Sequence, residues 1–100
     1  MKIYVQSVNF SADKELISFT EKKVELLEKY FDKVIDAEVF LKVQQTSEKE
    51  NKLVEIKMNV PGDELIVKKT CKTFEEGVSL STDSLRRQLE KYKEKQRVHS

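Results

Sequence analysis

The sequence predicts an α+β fold, a β-α-β-β-β-α two-layer sandwich in which a four-stranded sheet carries two helices on one face. Three observations lead there. Residues 14–31 and the stretch from Phe74 onward repeat their apolar side chains at helical spacing, whereas four shorter stretches alternate apolar and polar residues as half-buried strands do. With only 2 Gly and 1 Pro in 100 residues, the chain has little from which to build a linker, so it reads as one continuous domain, residues 1–100.

Taken in order, residues 2–6 place Ile3 and Val5 on one side and Lys2, Tyr4 and Gln6 on the other, a first strand. Asp13 is a suitable N-cap for the run at 14–31, in which Leu16, Phe19, Val24, Leu27, Tyr30 and Phe31 are expected to form the buried face. A second strand, 34–43, sets Ala37, Val39, Leu41 and Val43 against Glu38, Phe40 and Lys42. The polar stretch 44–51 is a hairpin loop, and 53–60 returns with Val54, Ile56, Met58 and Val60 in one register. Pro61-Gly62-Asp63 then turns the chain into a fourth strand at 64–72, so that strands two to four make an antiparallel meander. In the last helix Phe74, Val78, Leu85, Leu89 and Tyr92 fall in one narrow sector, and Gly77 marks either a close helix contact or a weak first turn.

Most chemical functions find no support. No segment is apolar and long enough for a signal peptide or a membrane span, which points to the cytoplasm and to no membrane partner. The lone Cys71 cannot form an internal disulfide and, with one histidine, falls short of a metal site. That histidine, His99, is one residue from the terminus and has no nucleophile to serve. Two glycines build no phosphate loop. The carboxylates alternate with lysines as on solvated faces. Neither an enzyme, a cofactor, a metal nor a small-molecule substrate is indicated.

Charge is informative through its distribution. Residues 1–83 hold 13 Lys and Arg against 16 Asp and Glu, while residues 84–100 hold six basic residues against Glu90 and Glu94. On the last helix Arg87, Lys91 and Lys95, spaced by four, line one flank of the apolar stripe, and Arg86, Lys93 and Arg97 the other. Lys23 falls in the middle of the apolar face of the first helix. Burying an unpaired ammonium is costly, so Lys23 either runs out along its neighbours or reaches an anion. With the helices side by side, Lys23 and the Arg87, Lys91, Lys95 rail would enclose a positive cleft able to neutralise RNA phosphates without reading bases. Tyr4 and Phe40, on the far sheet face, form either an aromatic platform or, the favoured alternative, a small cluster with Leu53 and Ile66.

On these residues the chain resembles the short form of the ribosome hibernation promoting factors, a family also known as ribosome-associated inhibitors and sigma-54 modulation proteins. The resemblance covers nearly the whole length and rests on MKIYVQ at 1–6, Lys23 followed by LLEKYFDKV at 26–34, VFLKV at 39–43 and DSLRRQLEKYKEK at 83–95. It implies a layout similar to double-stranded RNA-binding domains. It also implies occupancy of the small-subunit channel for messenger and transfer RNA, which inhibits translation and preserves idle ribosomes under stress. The family's basic residues correspond to Lys23, Arg87, Lys91 and Lys95. Thr73-Phe74-Glu75 replaces a common Asp-x-Tyr element, Ser84 stands where a lysine is common, and Leu26 replaces a basic residue. Lys22, Arg86 and Lys93 are the charges available to compensate.

The resemblance further implies that a chain ending at Ser100 lacks the domain with which long forms pair ribosomes, so ribosome dimerisation would require a second factor or an indirect effect. The partner expected is the small ribosomal subunit and its rRNA, with the protein a monomer when free. Two other readings stay open: modulation of sigma-54-dependent transcription through protein contacts, and general binding of double-stranded RNA.

Overall fold

The computed structural model describes residues 1–98, with α2 side chains through Gln96; His99 and the Arg97 side chain lie outside the described residues. The order is β1 (Lys2–Val8), α1 (Lys14–Glu25), a short 3-10 turn (Leu26–Lys29), β2 (Asp36–Val43), β3 (Lys52–Val60), β4 (Asp63–Cys71) and α2 (Phe74–Val98). The sheet order is β1-β2-β3-β4. The expected meander is present: β2 with β3 and β3 with β4 are antiparallel. β1 runs parallel to β2, which requires a crossover, and α1 provides it.

One face of the sheet is apolar because the strands alternate in phase. Ala37, Val39 and Leu41 of β2, Val54, Ile56, Met58 and Val60 of β3 and Leu65 and Val67 of β4 are all buried. The helices cover this face, burying Val24 and Leu27 from the first and Phe74, Val78, Leu85, Leu89 and Tyr92 from the second. Helix starts are capped by short oxygen-bearing side chains: Asp13 Oδ1 accepts from the Leu16 N–H at 2.8 Å, and Thr73 Oγ1 from the Glu76 N–H at 3.1 Å. After β1 the chain reverses through Asn9 at φ 69°, a conformation asparagine tolerates. Phe10 then stacks on Phe74, ring centroids 4.7 Å apart. The two helix starts are thereby held together.

Contacts along α2 give its direction. Gly77 lies against Val54 and Cys71, the Gln88 side chain donates to the Ile66 carbonyl at 3.2 Å, and the Tyr92 hydroxyl donates to the Pro61 carbonyl. The helix therefore runs antiparallel to β4, and residues after Tyr92 extend beyond the β3–β4 turn. Gly62 in that turn has φ 78°, which fits a type II turn with Pro61 before it.

Two expectations need correction. The first helix is not continuous to Phe31: it tightens into 3-10 geometry at Leu26, satisfying its last carbonyls with shorter bonds. Tyr30 is consequently not a core residue but 38% exposed. Phe31 instead turns inward, edge-on to Tyr92 at 5.2 Å. Nor do all four apolar residues of the far sheet face form one cluster: Tyr4 and the half-buried Phe40 line one depression, and Ile66 lies apart from them. Register places Tyr4, Glu38, Lys57 and Ile66 in one row across the sheet, so charged residues separate the apolar ones. Tyr4 and Ile66 stay 49% and 52% exposed, and only Leu53 is buried.

Gly77 makes a close contact. A Cβ there would sit 2.7 Å from Val54 Cγ2, tighter than packed atoms tolerate. Gly77→Ala should therefore destabilise by about 1–3 kcal/mol despite the better helix propensity of alanine. In urea denaturation, Val54→Ala should offset part of that loss, leaving the double variant more stable than the sum of the singles predicts. At Cys71, burial first, then the Glu76 and Glu50 carboxylates, raise the thiol above its ordinary value of 9.0. A raised thiol favours the protonated fold, so this contribution is complete below pH 9.0 and fades as pH rises through the folded value. Parent and Cys71→Ala stabilities, measured from pH 8 upward, should differ by an amount that changes only in that alkaline range.

Candidate nucleic-acid interface

The side chains expected to contact RNA are delivered by the helix layer. In α2 the buried stripe centres on Leu85 and Leu89, and at 3.6 residues per turn Arg87 falls about 200° from Leu85, directed away from the sheet. Lys91 and Lys95 follow at successive turns and are exposed. Lys95, beyond Tyr92, lies past the end of the sheet. Arg86 is exposed and Lys93 half-buried on the other flank. In α1, Lys22 is exposed on the outer side, where it lines a surface depression with Glu25, Leu26 and Lys29.

Lys23 is half-buried, its ammonium 5.8 Å from the centroid of the Phe19 ring. Of the two alternatives, it follows the first: the stem lies along apolar neighbours and the charge rests over an aromatic face. Phe19 in turn shares a depression with Leu16 of α1 and Glu75 of α2, which places this side of α1 at the seam between the helices.

The cleft expected between Lys23 and the Arg87, Lys91, Lys95 rail does not form. The flank of α2 next to that rail faces β4, where Gln88 meets the Ile66 carbonyl. The opposite flank faces the first helix, and there Arg86 places its guanidinium 5.8 Å from the Tyr30 ring centroid. The helical wheel separated two basic flanks correctly, but it could not say which one turns toward the first helix. The helices run side by side in the same direction, and the cations are spread over the outer face of the layer and its seam.

Two ion pairs occur among the described residues, the Met1 amino group with Glu28 at 3.2 Å and Lys57 with Glu64 at 3.3 Å. Neither involves Lys22, Lys23, Arg86, Arg87, Lys91, Lys93 or Lys95. Glu90 and Glu94 border the shallow trough that holds Ser84, Arg87 and Lys91, yet neither pairs with a described cation. Arg86 has its pKa raised, first by side-chain hydrogen bonding with Tyr30 and then by the charge of Tyr30, with Glu90 and Asp83 adding to it. No three metal-ligating side chains converge among the described residues. No described helix is long and apolar enough to cross a membrane.

Sequence reading did not single out Lys29 or the exposure of Tyr30. The adjacent pair Tyr30-Phe31 at a helix end carried a signal, since two neighbouring aromatics leaving a helix cannot both face one core.

Fold and surface together define a two-layer α+β domain with an outward cationic helix layer. The chain belongs to the family described as Sigma 54 modulation protein / S30EA ribosomal protein, whose model matches residues 3–97. It is 27% identical over 96 residues to the ribosome hibernation promoting factor of Pseudomonas putida, covering 96% of this chain and 90% of that protein. It is 30% identical over 96 residues to the ribosome hibernation promotion factor of Deinococcus radiodurans, covering 93% of this chain and 50% of that protein. Among solved structures, the ribosomal subunit interface protein of Coxiella burnetii is similar with a TM-score of 0.82 at 22% identity, covering 93% of this chain and 98% of that one. The Protein Y N-terminal domain of Thermus thermophilus is similar with a TM-score of 0.78 at 24% identity, with coverage of 92% and 99%. The likeness to both structures is one of fold.

Because Lys23 has no carboxylate partner, replacing its charge should cost the fold little. Lys23→Met should keep or raise the urea midpoint, with a stability change within about 0.5 kcal/mol of the parent or above it. A loss of several kcal/mol would show that the ammonium is structural.

Proposed function

We propose that this protein is a ribosome-associated hibernation factor that binds the small ribosomal subunit, in the channel for messenger and transfer RNA, and thereby inhibits translation and preserves idle ribosomes. The observation that carries this reading is the set of seven cations, Lys22, Lys23, Arg86, Arg87, Lys91, Lys93 and Lys95, distributed over one helix layer without an ion pair. Cations displayed on a rigid layer neutralise phosphates at fixed spacings and release counterions, which gives affinity for folded RNA without base-specific contacts. Membership of the family, and relatives named for ribosome hibernation, support the ribosome as the source of that RNA. The protein acts by occupying a site rather than by catalysis, as a monomer in the cytoplasm.

The experiment is a sucrose-gradient profile of stationary-phase cells combined with binding to purified small subunits across a salt series. The protein should sediment with small subunits and whole ribosomes, and log affinity should fall linearly with log salt. Arg87→Glu with Lys91→Glu should weaken binding at least tenfold at moderate salt and make the salt slope shallower by about two. Absence from ribosomal fractions, or an unchanged affinity of the double variant, would overturn the reading. Equal affinity for an unrelated RNA duplex would favour a general double-stranded RNA binder.

A further inference from the structure

The seven cations account for phosphates, but the same layer displays an aromatic group, Tyr30, whose role phosphate binding does not explain. Tyr30 is the residue at which the 3-10 turn ends; its N–H donates to the Leu27 carbonyl at 3.0 Å, so its backbone is fixed. Phe31 takes the inward place against Tyr92, and the Tyr30 ring is left on the surface, 38% exposed. Leu26, one turn earlier, is 47% exposed, and Lys22 and Lys29 border it. Across the seam the Arg86 guanidinium covers the ring at 5.8 Å. Arg86 is exposed and holds no ion pair; its one tie at this point is to Tyr30 itself, which a base entering between them would replace.

From this geometry we propose that Tyr30 and Arg86 form a seat for one unpaired nucleobase of the bound RNA. A base between two planar groups needs about 7 Å, twice a base-stacking step of 3.4 Å. With its guanidinium 5.8 Å from the ring centroid, Arg86 has to swing outward on its flexible side chain to admit a base. The base then has the phenol ring on one face and a cation on the other, with its phosphates in reach of Lys29 and Lys22. Aromatic rings and guanidinium planes are the groups on which splayed bases stack, and stacking accepts any base. An exposed Tyr and Arg also suit a protein contact; Lys22 and Lys29, with Glu25 between them, leave the Leu26 side of the pair net positive and favour a polyanion.

The inference rests on the proposed binding to ribosomal RNA, and its test separates the two. The chain has no tryptophan, so Tyr30→Trp introduces a single tryptophan at the seat, excited selectively beyond the absorbance of the remaining tyrosines. Its emission should be quenched on titration with small subunits and with single-stranded RNA oligomers, and much less with an RNA duplex of equal length. Tyr30→Leu, checked for parent-like circular dichroism, should bind small subunits about tenfold or more weakly. The salt slope should stay that of the parent, because no charge is lost. Tyr30→Phe, which keeps the ring, should bind more tightly than Tyr30→Leu. If the parent binds small subunits and Tyr30→Leu binds within twofold of it, the seat is refuted while the ribosomal reading stands. Weaker binding of Tyr30→Leu without quenching of Tyr30→Trp by RNA would assign the residue to a protein contact and also refute the seat. Failure of the parent itself to bind would instead refute the ribosomal reading.

Discussion

The burial of one stripe of α2 is the constraint on which the cationic surface depends. Phe74, Val78, Leu85, Leu89 and Tyr92 must face β3 and β4 to complete the core, and a helix that buries one side at 3.6 residues per turn presents the other at fixed angles. The orientation of Arg87, Lys91 and Lys95 is thus a consequence of apolar packing. Tyr92 completes this arrangement where it would otherwise loosen. Its ring meets Phe31 at the end of the first helical segment and its hydroxyl meets the Pro61 carbonyl in the β3–β4 turn. One side chain therefore fixes three elements to one another, and the last turns of α2 project past the sheet from a rigid base.

That surface leaves its cations without ion pairs. Like charges on neighbouring turns repel, and an ion pair with Glu90 or Glu94 would relieve them only by fixing two long side chains; none forms with the described cations. The pairs that do form tie the amino terminus to Glu28 and one strand to the next, away from the outer helix face. Exposed pairs contribute little to stability in any case, so leaving these cations free costs the fold about 1 kcal/mol or less for each pair forgone. The near-neutral net charge of +1 conceals the arrangement, because acidic residues on the rest of the chain balance a basic segment that is local.

Much of this was legible in the sequence, for a physical reason that also marks where legibility ended. Strand alternation and helical spacing report how a segment meets its own core, and Val54, Ile56, Met58 and Val60 or Phe74 through Tyr92 were assigned correctly because each faces only one core. Capping chemistry is equally local, and Asp13 was identified as an N-cap from position alone. What failed depends on relations between segments. The wheel extended the first helix through Tyr30 because periodicity does not reveal that Phe31 is the residue Tyr92 requires. It joined Lys23 to the wrong basic flank because helix handedness on the sheet is set by strand order and by contacts such as Gln88 with Ile66. Tyr4 and Ile66 share a face by alternation, but only the register shows two charged residues between them.

The interleaved carboxylates bear on selectivity under the proposed reading. A uniformly basic helix would bind any polyanion and slide along it. Here Glu90 and Glu94 lie on the same outer side as Arg87 and Lys91, so a phosphate backbone in the wrong register meets repulsion where it needs a cation. Only RNA whose phosphates follow the spacing of the cations, from Lys22 and Lys23 across the seam to Arg86 and out to Lys95, gains the attraction without the penalty. A rigid, shape-defined RNA meets that demand better than a flexible strand, because its phosphates are already held in place. Restraint in the net charge of the surface is therefore consistent with recognition by shape, and it leaves a base seat at Tyr30 and Arg86 to act as a local anchor rather than as the main source of affinity.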